Sequence, residues 1–156
     1  MTEKKIMTEE ATDIDTYVSQ HGEMRANLKA PLMIRVMSDT LYTEFPKSLH
    51  IDFFGPSANI ESWVDAKYGK YYENNNKAYL RDSVIVINNQ GDTLKCLDLW
   101  WEQDKKIFYT DKYTEYHSKD NNLYCPKGME ATQDLKSITF KDVTGTTQIY
   151  ENHSPK

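Results

Sequence analysis

Residues 77–116 constrain the fold most, because they contain three extended segments separated by two short polar turns. The segments are rich in valine, isoleucine, threonine, tyrosine and tryptophan, whose bulk fits a pleated, half-buried strand. The turns read NNQGD and EQDKK, and asparagine, aspartate and glycine tolerate the backbone angles of a tight reversal. Strands separated by a turn about every 8 to 12 residues are typical of an antiparallel sandwich or barrel. We therefore predict an all-β fold.

Length and composition predict a single domain with polar ends. The 156 residues suffice for one sizeable core but hardly for two. Residues 1–13 are charged and threonine-rich, which predicts a disordered tether. Residues 14–150 then form the β domain, and residues 151–156 form a flexible tail. The formal net charge of -5 argues against a nucleic-acid partner, which requires a basic face.

The two cysteines occupy matching positions in a weak internal repeat. After a turn, an aliphatic residue is followed two places on by a small one, as in Leu94 with Cys96 and Leu123 with Cys125. Such units must stack to bury their apolar faces, which predicts an elongated, twisted antiparallel sheet folded over on itself. Equivalent strands then lie about 2 × 4.8 Å apart, whereas disulfide Cα–Cα distances rarely exceed about 6.8 Å. We expect two unbridged thiols.

The sequence contains no motif for catalysis or for metal binding. The four histidines are scattered and lack HxH or HExxH spacing, and no GxSxG, P-loop or GxGxxG pattern is present. Most acidic residues fall at turns or at outward strand positions, where solvated charge is the simplest interpretation. Active sites on β-sheets can be assembled from distant residues, so an enzyme stays open here, but nothing in the sequence argues for one and we expect neither a cofactor nor a metal.

Strand alternation predicts which apolar side chains face the interior of the sheet. Leu49, Ile51 and Phe53 alternate with His50 and Asp52, the pattern of a strand with one buried face. The complete inward set is Leu49, Ile51, Phe53, Leu80, Val84, Val86, Leu94, Leu99, Trp101, Ile107, Met129 and Phe140. A packed core and an apolar groove use the same residue types, so both interpretations stay open here. A β-bulge between Leu94 and Leu99 would reverse part of the set.

Several short motifs resemble the LptC family of lipopolysaccharide export, in the form typical of Bacteroidetes-like bacteria. They are APLM at residues 30–33, YTEFPKSLHIDFF at 42–54, IES followed by Ala66 and Tyr68, VIVI with Gly91, Leu94, Leu99, Trp100 and Trp101, IFYTDK, and GMEATQDL at 128–135. The resemblance covers about residues 14–148. Ser48 stands where that pattern usually has glycine, both cysteines stand where threonine is common, and Pro126 replaces a frequent glycine.

The resemblance implies a twisted-boat β-jellyroll that carries lipid without catalysis. Lipopolysaccharide would pass from the inner-membrane Lpt ABC transporter into the apolar groove, which the inward set would line, and then to LptA. The family is periplasmic and tethered to the inner membrane by a transmembrane helix or a lipidated cysteine. Neither is found in these residues, so we expect the anchor to be missing from the sequence.

The resemblance also implies docking through the two open edges of the sheet. The transporter edge would comprise Thr16, Tyr17, Val18 and Ser19, and the LptA edge Ile138, Phe140 and Val143.

Two other functions remain as alternatives. A structural adaptor without lipid binding predicts tight packing and no channel. A secreted carbohydrate-binding sandwich that uses Trp63, Trp100 or Tyr72 predicts a row of exposed aromatic side chains on one face. A lipid carrier instead predicts a lined cavity that is open at one end.

Overall fold

A computed structural model describes residues 6–141 and the backbone of residues 146–150. This part of the chain is built from β-strands and turns, which confirms the predicted all-β fold. The fourteen strands are β1 (Met7–Gln20), β2 (Glu23–Met37), β3 (Leu41–Phe45), β4 (Leu49–Phe54), β5 (Ile60–Ala66), β6 (Tyr68–Tyr72), β7 (Lys77–Asn88), β8 (Thr93–Glu102), β9 (Ile107–Thr110), β10 (Thr114–His117), β11 (Asn122–Cys125), β12 (Met129–Thr132), β13 (Ser137–Lys141) and β14 (Thr146–Tyr150).

Three long strands, β2, β7 and β8, each contribute to two layers of one antiparallel sheet. The first half of β2 pairs with β4 and its second half with β3. Likewise, β7 pairs first with β6 and then with β5, and β8 pairs first with β10 and then with β9. We call the layer that contains β4, β5, β10 and β11 the β4 layer. The layer that contains β3, β6, β9 and β12–β14 is the β6 layer. This sheet folded on itself is consistent with a β-jellyroll.

The crossing from one layer to the other is marked by a two-residue bulge in β7. Asp82 and Ser83 have positive φ angles of 67° and 58° and interrupt the pairing with β8 opposite Leu97. Leu97 is 60% exposed, whereas Leu94 and Leu99 are both fully buried. The bulge expected between these two leucines therefore lies in the partner strand, and neither leucine is turned outward.

Strand β1 begins at Met7 and includes residues 7–13, of which 7–12 are paired with β2, so their assignment to a disordered tether is wrong. The side chains of these residues are exposed except for half-buried Ala11. Backbone hydrogen bonds to β2 therefore hold this segment in place. Its polar side chains gave no indication of a strand in the sequence. Residues 1–5 of the expected tether and the expected tail at 151–156 lie outside the described residues.

The two cysteines lie two strands apart, as the repeat predicted. Cys96 in β8 and Cys125 in β11 both pair with Thr114 of β10, and both are thiols rather than a disulfide. Burial raises the pKa of Cys96 to about 12, so its reactive thiolate is scarce at neutral pH. The segment around Pro126 is not one strand, because β11 ends at Cys125 and β12 begins at Met129.

The backbone conformation at Ser48 explains why glycine is usual at this position in the LptC-like pattern. Its φ angle is 80°, a left-handed conformation that glycine adopts without steric cost. The residue lies in the turn between β3 and β4, where its N–H donates to the carbonyl of Lys67 at 2.8 Å.

Candidate functional site

An apolar pocket of about 230 Å³ lies between the two layers. The β4 layer and the first half of β2 supply Leu28, Leu49 and Ile51. The remaining apolar lining consists of Val18, Met33, Phe45, Tyr71, Ala78, Leu80 and Trp101, and the polar lining of Thr16, Thr43, Lys70 and Glu73. Thr16 is exposed, and Lys70 and Glu73 are half-buried. The pocket thus combines an apolar interior with a polar, solvent-facing side.

Four of the predicted inward residues line this pocket, namely Leu49, Ile51, Leu80 and Trp101. Seven others, Phe53, Val84, Val86, Leu94, Leu99, Met129 and Phe140, are buried in the packed core. The inward placement of Ile107 is wrong, because Phe108 is the residue that pairs with Trp101 and enters the core. Sequence alternation thus identified the inner face but did not separate its open part from its packed part.

Trp101 closes the inner end of the pocket. Its ring centroid lies 4.9 Å from that of Phe53 in an edge-to-face contact, and Phe53 contacts Phe108 in the same way at 5.2 Å. The indole Nε1–H of Trp101 donates to Oε1 of Gln133 at 3.1 Å. Aromatic packing and a buried hydrogen bond therefore fix the indole between the pocket and the packed core.

Gln133 belongs to the turn between β12 and β13, which reaches from the β6 layer to the β4 layer. Its Nε2 donates to Oε2 of Glu61 at 2.9 Å, and its carbonyl accepts from Oγ of Ser62 at 2.6 Å. Nearby, Nδ2 of Asn88 donates to the carbonyl of Asp134 at 3.0 Å. Burial raises the pKa of Glu61, although the hydrogen bond from Gln133 opposes the change. Sequence reasoning missed this bridge, because it joins residues far apart in the chain.

A fixed ion pair borders the polar side of the pocket. Nε and Nη2 of Arg35 donate to the two carboxylate oxygens of Glu73 at 3.0 and 3.1 Å, and Thr43 adds a longer hydrogen bond at 3.4 Å. The hydrogen bond from Arg35 lowers the pKa of Glu73, so this carboxylate remains charged at neutral pH. A charged rim beside an apolar interior suits an amphiphilic ligand.

A histidine-centred cluster of polar side chains lies on the outward face of β4. Nδ1 of His50 is 2.8 Å from Oδ1 of Asp65, and Nε2 is 2.8 Å from Oδ1 of Asp52. Burial alone would lower the pKa of His50, but the hydrogen bonds to Asp65 and Asp52 outweigh it and raise the pKa. Because carboxylate oxygens accept hydrogen bonds, a carboxylate beside each ring nitrogen favours the protonated imidazole, in which both nitrogens donate. His50 and Asp52 face away from the pocket, as the alternation predicted.

The two predicted docking edges differ in outcome. Thr16, Tyr17, Val18 and Ser19 lie in β1, which among the described strands pairs only with β2, so this segment is at an open edge. Ile138 and Phe140 lie in β13, which is paired on both sides by β12 and β14. The predicted second edge is therefore wrong, because β14 (146–150) covers it and is the last strand on that side. Val143 lies outside the described residues.

Five aromatic side chains form a row across the outward face of the β6 layer. The ring centroids are 6.3 Å apart for Tyr42 and Tyr72, 6.1 Å for Tyr72 and Trp100, 4.8 Å for Tyr79 and Trp100, and 6.4 Å for Trp100 and Tyr109. All five rings are half-buried. We call these residues the aromatic row.

Of the three aromatic residues named from the sequence, two belong to this row. Trp63 instead lies on the outward side of the β4 layer, in β5. The row was not predictable as a unit because its members come from five strands, β3, β6, β7, β8 and β9.

The fold and the pocket together define a class of protein, a β-jellyroll with an apolar interior between its layers. A family model described as "Lipopolysaccharide-assembly, LptC-related" matches residues 7–148. The chain therefore belongs to the LptC family, which confirms the resemblance, and it has a role in lipopolysaccharide transport on the periplasmic side of the envelope. The match begins at the first residue of β1. Comparison with curated proteins finds no match. Among the described residues, no helix is long and apolar enough to span a membrane.

Proposed function

We propose that this chain is a non-enzymatic carrier that receives lipopolysaccharide from the inner-membrane Lpt ABC transporter and passes it to LptA. The acyl chains enter the interior between the two layers, while the sugars remain in water. The observation that supports this proposal most directly is the apolar pocket with its charged rim at Glu73 and Arg35. We also propose that the domain is tethered to the inner membrane.

Removing acyl chains from water supplies the binding energy. Each buried CH₂ group contributes about 0.8 kcal/mol, and the pocket of about 230 Å³ accommodates part of one chain. Further entry requires the aromatic contacts of Trp101 to separate, because this side chain closes the inner end. The carrier therefore works by opening its packed interior progressively from the pocket.

Open strand edges supply the contacts to neighbouring proteins. An unpaired edge offers a row of backbone N–H and C=O groups to another strand. We propose that β1, around Thr16–Ser19, docks on the transporter, since Thr16 and Val18 also line the pocket. Since β14 is the open edge on the other side, we propose that LptA docks on β14 and not on β13. Strand pairing at both ends would join the interiors of successive proteins.

A structural adaptor is the second candidate, and the packed core beyond Trp101 favours it. The two functions are distinguished by introducing a diazirine-bearing aliphatic amino acid at Leu49 or Ile51 and irradiating with lipopolysaccharide. The matched controls are the same amino acid at His50 or Asp52, on the opposite face of the same strand. A carrier gives lipid adducts at the two inward positions and none at the controls. If no position captures lipid while the protein still binds its neighbours, the adaptor is correct.

A further inference from the structure

The aromatic row has polar neighbours that are held in fixed positions. Asp98 accepts hydrogen bonds from the hydroxyl of Tyr79 at 3.0 Å and from Oγ1 of Thr110 at 2.6 Å. The ammonium of Lys70 lies 4.1 Å from the ring centroid of Tyr42. The aromatic rings therefore share one surface with an anionic acceptor and a cationic donor.

Further charges border the row at the end of β8. Glu102 pairs across the strands with Lys77, whose Nζ is 3.9 Å from a carboxylate oxygen of Glu102. Lys105 approaches the other oxygen at 3.6 Å. These side chains are not fully buried, so their remaining hydrogen-bonding positions are available to a ligand.

This surface fits a sugar better than an acyl chain. An aromatic face carries partial negative charge and attracts the positively polarised C–H groups on the flat side of a pyranose ring. The sugar's hydroxyl groups can donate to fixed carboxylates and accept from ammonium groups. An acyl chain on the same surface would remove water from these charges without replacing the lost hydrogen bonds, which is unfavourable.

The row and the pocket use opposite faces of the same strand segments. Trp100 belongs to the row and its neighbour Trp101 lines the pocket, and the same holds for Tyr72 and Tyr71. Lys70 borders both, because it also contributes to the pocket lining. A molecule with acyl chains inside the pocket and sugars outside can therefore reach the row beside Lys70.

We infer that the aromatic row binds the sugar residues of the lipopolysaccharide that the chain transports. This inference rests on the proposed function, since that function supplies the ligand. It adds a second binding surface on the outside of the β6 layer, where the glycan is held while the acyl chains occupy the interior.

The three tryptophans of the chain report separately on the three relevant surfaces. The indole N–H of Trp100 reports on the aromatic row, that of Trp101 on the pocket, and that of Trp63 on the other outward face. The experiment follows the three indole signals in ¹H–¹⁵N spectra of the intact protein. One titration uses the core oligosaccharide freed of its lipid by mild acid, a second uses decanoate, and a third uses maltohexaose.

The inference predicts that the core oligosaccharide moves the Trp100 signal and leaves those of Trp63 and Trp101 in place. Equal movement at Trp63, or no movement at Trp100, overturns it. An equal response of Trp100 to maltohexaose overturns the assignment to lipopolysaccharide in favour of a general glycan site. A fourth titration uses LptA: if LptA moves the Trp100 signal and the core oligosaccharide does not, the row is a protein-docking surface and the inference is overturned. Decanoate tests the pocket independently, because an unmoved Trp101 contradicts the proposed function without affecting the sugar titration.

Substitutions provide the quantitative test. Trp100→Ala should weaken oligosaccharide binding about tenfold, the loss expected for one aromatic contact, and Trp63→Ala is the matched control that should leave it unchanged. If Trp100→Ala does not fold, Tyr72→Ala removes a neighbouring ring of the row and should also weaken binding. Unchanged affinity in a folded variant of the row refutes the inference.

Discussion

Replacing Gln133 with leucine tests whether the bridge between the layers holds the inner end of the pocket closed. Gln133 is only 4% exposed, and its side chain joins Trp101 to Glu61. Leucine has similar volume but can make neither hydrogen bond. The substitution therefore leaves the indole N–H of Trp101 without its acceptor, and it leaves the Glu61 carboxylate without its amide donor.

The expected loss follows from these two contacts. A buried donor left without a partner costs about 1–3 kcal/mol, and a hydrogen bond to a charged group contributes about 1.5–3 kcal/mol. Glu61 is only half-buried, so water replaces part of the hydrogen bond that its carboxylate loses. Burial of the leucine side chain returns about 1–2 kcal/mol. We expect Gln133→Leu to lower the free energy of unfolding by about 2 kcal/mol, measured by urea denaturation.

A double-mutant cycle with Trp101→Phe isolates the contact that closes the pocket. Phenylalanine has no N–H, so Gln133→Leu should cost about 1–2 kcal/mol less in that background. The control is the same cycle with Trp100→Phe, whose side chain lies on the opposite face of β8. That cycle should be additive within about 0.5 kcal/mol. Additivity of the Trp101 cycle as well would refute the argument that this hydrogen bond fixes the indole.

Three further predictions concern other positions. Ser48→Gly should raise the free energy of unfolding by about 1 kcal/mol, because it relieves a left-handed backbone conformation; a loss of stability on chemical denaturation would contradict this. A Cβ added in Gly69→Ala would lie 2.9 Å from methyl groups of Leu49 and Leu80. Both leucines line the pocket and must shift, so binding of a fluorescent fatty acid should weaken while the fold is retained. Unchanged affinity would place the fatty acid elsewhere. The raised pKa of His50 means that its stabilising effect is complete below its ordinary value of 6.5 and is lost as pH rises through the raised value. Relative to His50→Gln, the protein should lose roughly 1 kcal/mol or less over that range, since the side chain is 35% exposed and screened by water. Parallel pH profiles for the two proteins would rule out the effect.

Alternation identified the inner face of β7 because Leu80 and Val84 are an even number of residues apart. Asp82 and Ser83 stand opposite Leu97 alone, so β7 has one extra residue here, and the facing changes in β8 between Cys96 and Leu99 instead. The error at Ile107 arises differently. The facing of β9 is set by its pairing with β8, in which Phe108 stands opposite inward-facing Trp101. The length of the connecting turn determines that pairing, and the composition of β9 does not.

Contacts between distant parts of the chain were beyond sequence reasoning. Gln133 and Glu61 are 72 residues apart, and both belong to segments that read as ordinary polar turns or strand ends. The pairing of β13 with β14 was unpredictable for the same reason. It makes β14, and not β13, the open edge at the second end of the sheet. Local patterns determine which face of a strand is apolar, whereas the order of the strands determines what that face meets.

The adjacent residues Trp100 and Trp101 of β8 show how local alternation and strand pairing act together. In a strand, neighbouring side chains point to opposite faces, so Trp100 must lie outside if Trp101 lies inside. The change of facing at Leu97, opposite the β7 bulge, determines which of the two enters the pocket. Without that bulge, continued alternation from Leu94 would turn Trp100 inward and place Trp101 on the outer surface. The pocket and the aromatic row therefore depend on one backbone irregularity, and neither could be exchanged or lost without affecting the other.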